Sequence, residues 1–97
     1  MSGPELPKPQ QIQLQLDEGV AQGIYSNLVV INHSDNEFVL DFAFLQPAAP
    51  VAKVRARVIS SPRHAKRLMM ALQRNLDAFE ARFGKIEVMN DEPSFVH

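Results

Sequence analysis

The segment Pro62 to Phe83 constrains the fold more than any other. Ala65, Met69, Leu72, Leu76, Phe79 and Phe83 recur at intervals of 4, 3, 4, 3 and 4 residues. At 100° per residue these six side chains fall within about 40° either side of one line. The spacing predicts an amphipathic helix of about six turns. Ser61 suits its N-cap, Pro62 its first position and Gly84 the position that ends it. Such a helix must lay its apolar stripe against something.

The residues before it supply strands. In "QIQLQL", Ile12, Leu14 and Leu16 alternate with glutamines, the period of a strand with one wet face. "DEGVAQG" reads as an acidic, turn-like connection. "IYSNLVVINH" is rich in β-branched residues and reads as a second strand, ended by the turn signal "SDN". "EFVLDFAFL" sets Phe38, Leu40, Phe42 and Phe44 on one face and Val39, Asp41, Ala43 and Leu45 on the other. "VAKVRARVI" sets Val54, Ala56 and Val58 inward and Lys53, Arg55 and Arg57 outward. Short connections favour an antiparallel meander. The expected fold is therefore α+β: a four-stranded antiparallel meander followed by one long amphipathic C-terminal helix. Residues 1–10, with three prolines, form a flexible segment, residues 11–88 a single β4-α domain, and residues 89–97 a tail. A short extended piece is expected at Ile86 to Met89.

A four-stranded sheet is about 15 Å across its strand axes, and a helix about 10–12 Å wide. One helix cannot cover both faces of that sheet. The second and third strands carry apolar residues on both faces, so an apolar face is left for an interface. The expected assembly is a homo-oligomer, a dimer or dimer of dimers.

Three stretches together resemble a small uncharacterised bacterial family, a domain of unknown function: "YSNLVVINHSDNEFVLDF" at Tyr25 to Phe42, "SPRHAKRL" at Ser61 to Leu68 and "FGKI" at Phe83 to Ile86. The resemblance covers roughly residues 10 to 88. The Ser-Pro-x-His-Ala-Lys opening and the Phe-Gly close are its most specific parts. It implies a small cytoplasmic protein with this strand-and-helix layout, and brings no activity and no catalytic residues. In outline the layout is also similar to the protein-export chaperone fold, a likeness of architecture alone.

Charge is segregated. Between Lys53 and Arg74 stand Lys53, Arg55, Arg57, Arg63, Lys66, Arg67 and Arg74 with no acid, while the whole chain holds eleven Asp and Glu. With His64 these residues make a candidate site for an anion or a partner. The helix start adds outward-pointing N–H groups and positive potential. Against nucleic acid stands the lack of interleaved aromatic residues and of a second helix. The plainer reading leaves these residues solvated or paired, with Asp41 placed to meet Arg55 or Arg57.

Catalytic chemistry finds no foothold. There is no cysteine, hence no thiol nucleophile and no thiolate ligand. His33, His64 and His97 lack metal-ligand spacing, and no Gly-rich phosphate loop or nucleophile elbow occurs. The expectation is no catalytic residue, no cofactor and no metal site. No run reaches the roughly 20 apolar residues of a membrane span, and the expected location is the cytoplasm. The leading functional expectation is a non-enzymatic homo-oligomeric interaction module, itself or another protein being the partner. Nucleic-acid or anion binding ranks second and a client-binding chaperone third.

Overall fold

The computed structural model describes residues 11–48 and 50–89. The expectations for residues 1–10 and for most of the tail lie outside them. In order the elements are α1 (Glu18–Ala21), β1 (Leu28–His33), β2 (Phe38–Leu45), β3 (Ala52–Ser60) and α2 (Pro62–Phe83). The sheet is antiparallel, in the order β1-β2-β3.

Three strands stand where four were expected. Residues 12–16 are irregular, and Leu14 is 97% exposed. Alternation says which residues would share a face, but a strand exists only where a neighbour takes up its backbone N–H and C=O groups. In this sheet nothing pairs with that segment. The acidic connection after it holds a single turn of helix, α1, whose Val20 and Ala21 N–H groups donate to Asp17 O at 3.0 and 2.8 Å. Gly23 follows at φ 72°, a conformation that favours glycine.

The second expected strand starts at Leu28, not Ile24, because side chains take over the ladder there. Asn27 Nδ2 donates to Leu45 O at 3.0 Å and its Oδ1 accepts from Leu45 N–H at 2.8 Å. One amide side chain thus imitates a backbone residue opposite the end of β2. The Ser26 hydroxyl reaches Ala43 O at 2.8 Å and Leu28 O at 3.0 Å. The turn at "SDN" is built on Ser34. Its hydroxyl accepts from the N–H groups of Asn36 and Glu37 and donates to Asn36 Oδ1.

The helix has the expected ends. Ser61 is the N-cap, its hydroxyl accepting from His64 N–H at 3.2 Å, and Pro62 opens the helix. Gly84, at φ 101°, caps the other end, donating to Glu80 O at 2.9 Å. Its destination differs from expectation. The stripe does not hold the helix to the sheet: α2 makes only marginal contact with the strands and buries none of its residues. Among the described residues the buried apolar side chains are Leu40 and Ala43, both on the central strand.

The cap gives a first test. Ser61→Ala should lower stability by about 1 kcal/mol, and Ser61→Gly by only a few tenths. Urea denaturation followed by circular dichroism would measure both.

Candidate functional site

The strand register sorts the sheet into two faces. β1 and β2 pair with Val29 opposite Phe42, Ile31 opposite Leu40 and His33 opposite Phe38. β3 adds Val58 opposite Leu40 and Ala56 opposite Phe42. Residues opposed in an antiparallel pair share a face, so one face is a continuous apolar field around Leu40. Aromatic contacts extend it: the His33 ring stacks on Phe38 at 5.2 Å, and Tyr25 meets Phe44 edge-on at 6.0 Å. No helix lies across it, and Val29, Ile31 and Val58 remain exposed.

The other face carries the buried charge. Val30, Asp41 and Arg57 are aligned across the three strands. Arg57 grips the carboxylate with two bonds, Nε to Oδ1 at 2.7 Å and Nη2 to Oδ2 at 2.9 Å. The Asp41 side chain is 10% exposed and that of Arg57 62%. These hydrogen bonds, with the guanidinium charge beside them, hold the Asp41 carboxyl below the ordinary carboxylate value, although burial pushes the other way. The same pairing raises Arg57 and keeps it protonated. Of the two partners expected for Asp41, the structure selects Arg57.

A register shift explains that choice and breaks up the basic strand. Ala56 faces Phe42, but Val54 faces Ala43, so Arg55 is an extra residue with nothing opposite it. Beyond this bulge the faces exchange. Val54 joins the Asp41 face, and Lys53, opposite Phe44, joins the apolar face. Lys53, Arg55 and Arg57 therefore do not form the single outward row expected from alternation. Arg57 is committed to Asp41, and the other two are displaced from it.

The helix keeps its basic start. Arg63, His64, Lys66 and Arg67 all lie exposed in the first two turns of α2, with Arg74 further along. The first turn holds no acidic residue, and among the described residues Asp41–Arg57 is the ion pair. The apolar stripe itself lies exposed. Met69 is 59% and Phe83 65% exposed, with Leu72, Leu76 and Phe79 between them also exposed. Leu68, on the stripe's edge, belongs to the same surface; alternating 4 and 3 intervals pass over it. Phe79 and Phe83 touch at 4.9 Å, and the Arg82 guanidinium lies 5.1 Å from the Phe83 ring centre.

Among the described residues no group of three His, Asp or Glu side chains is placed to hold a metal ion, and no helix is long and apolar enough to cross a membrane. The features that stand out are two uncovered apolar surfaces and a row of unpaired cations at the start of one of them. The family model described as "Protein of unknown function (DUF3467)" matches residues 1–88. No curated protein and no solved structure matches the chain.

The Asp41–Arg57 pair predicts a pH dependence with a definite sign. A carboxyl depressed in the folded state contributes stability above its unfolded pKa, and that contribution is lost as pH falls through the folded value. Asp41→Asn keeps the shape and removes the charge. Urea midpoints of both proteins should differ by a constant amount above about pH 4 and converge below it. A difference that does not change with pH would refute this account of the pair.

Proposed function

The chain belongs to the DUF3467 family of proteins of unknown function, and we propose that this domain is a non-enzymatic interaction module that assembles with copies of itself. The observation that carries the reading is the unburied apolar stripe of α2, running from Met69 to Phe83. Full burial of a Leu, Met or Phe side chain stabilises by about 1.5–3 kcal/mol. Five such side chains, each near half exposed, leave about 4–8 kcal/mol unrealised. That is comparable with the whole stability of an ordinary domain, about 5–15 kcal/mol. With Leu40 and Ala43 as the buried apolar residues among those described, a second chain is the natural source of the missing burial.

Each chain offers two such surfaces, the helix stripe and the apolar sheet face. One interface made by each gives a dimer of dimers; both used in one interface give a dimer. The charged groups support a binding role over a catalytic one, since Asp41 and Arg57 are spent on each other. They also weaken the nucleic-acid alternative. Arg57 is engaged, Lys53 lies on the other face, and of the helix cations Lys66 flanks the apolar stripe while Arg63, Arg67 and Arg74 lie opposite it, so the basic residues do not form one surface.

Light scattering coupled to gel filtration should give a small multiple of 10.9 kDa at micromolar concentration. A 10.9 kDa particle would refute self-assembly. Leu76→Lys, in the middle of the stripe, should weaken assembly at least tenfold, about 1.4 kcal/mol. Steep, salt-sensitive retention on heparin by a monomer would instead favour the anionic partner.

A further inference from the structure

We infer that α2 pairs with α2 of a second copy, antiparallel and in one register; this rests on the self-assembly proposed above. The stripe's alternating intervals of 4 and 3 residues keep one apolar side chain per turn on a single line, the alternating spacing that a helix–helix seam uses. The seam holds from Ala65 to Phe83, about 27 Å of helix.

Side-chain size selects the direction. A parallel pair would set Ala65 against Ala65 and Phe83 against Phe83, thin at one end and crowded at the other. An antiparallel pair sets Ala65 against Phe83, Met69 against Phe79 and Leu72 against Leu76. The smallest and largest side chains then share a layer at each end, so that the layers are of more even volume than in the parallel pair.

Charge selects the same direction. Arg63, Lys66 and Arg67 each oppose their own helix dipole, and among the described residues no carboxylate pairs with them. A parallel pair would bring two such starts together. The antiparallel pair lays each beside the other helix's C-terminal end, where the dipole is negative. In this register Lys66 comes beside Glu80 of the second copy, and symmetry makes the contact twice. Within one helix the two residues are about 21 Å apart, so they do not pair internally. Glu80 is already positioned: its Oε2 accepts from Ile86 N–H at 2.9 Å, which leaves Oε1 for a lysine. Gln73, on the same flank, meets its own copy at the two-fold axis.

The experiment uses Lys66→Glu and Glu80→Lys in the full chain, with sedimentation velocity measuring assembly. Each variant alone turns two attractive contacts into two repulsive ones, and should assemble roughly tenfold more weakly, about 1.4 kcal/mol. Mixing the two variants in equal amounts restores both attractive contacts. The mixture should assemble as tightly as the original chain, with one of each variant in every pair. Lys66 is exposed and Glu80 half-buried; Glu80→Lys gives up the bond to Ile86 N–H, which lies beyond the helix end, so circular dichroism should show the helix intact in both variants. If the chain assembles and mixing gives no recovery, the antiparallel register is overturned while self-assembly stands. That outcome also covers a helix seated on the sheet of a second copy. If the unaltered chain sediments as a monomer, both inferences are overturned.

Discussion

The structure turns on an apolar stripe that its own chain does not cover. A 22-residue helix with well-formed ends stands away from the sheet that precedes it, exposing phenylalanine, leucine and methionine along one line. Secondary structure is well formed among the described residues, with a capped helix and an antiparallel ladder interrupted only by the bulge at Arg55. Tertiary burial is not, since Leu40 and Ala43 are the buried apolar side chains among the described residues. Ordering a residue's backbone costs about 1–2 kcal/mol, and burial of this extent does not offset that cost over three strands and a long helix. The proposed assembly supplies the missing term, so that folding and association become one process.

Within the sheet, the Asp41–Arg57 pair ties local sequence to topology. A carboxylate on a central strand is expensive to cover unless both its oxygens are bonded. The bidentate grip meets that condition and fixes the pairing of β2 with β3 beside the bulge. Slipping the strands by one residue would separate the two charges and move every apolar side chain to the other face. The pair is thus better understood as a register device than as a binding site. It also removes one guanidinium from the basic block and leaves the helix start as its coherent remainder.

Much of this was legible in the residues themselves. Ser61, Pro62 and Gly84 mark the helix ends because capping depends on residues adjacent in sequence. The two faces of β2 follow from alternation alone, and the acid on one of them foretold an arginine partner. The bulge at Arg55 was not legible. An extra residue leaves the alternation of β3 looking intact, and only pairing with β2 reveals that Val54 and Lys53 have exchanged faces. The segment around Leu14 has the pattern of a strand and no partner within the chain. The stripe of α2 marked a face suited to contact without saying with what, because amphipathicity does not identify what lies against a face. The sheet was the nearest candidate in sequence, and the structure does not place it there.

The most direct measurement is an isotope-filtered nuclear Overhauser experiment on a sample mixing labelled and unlabelled chains. It detects contacts between copies and no others. The account predicts intermolecular signals between the Ala65 methyl group and the Phe83 ring, and between Met69 and Phe79. An absence of intermolecular signals from the stripe, or intermolecular signals that run from it only to the Phe42 face, would contradict it.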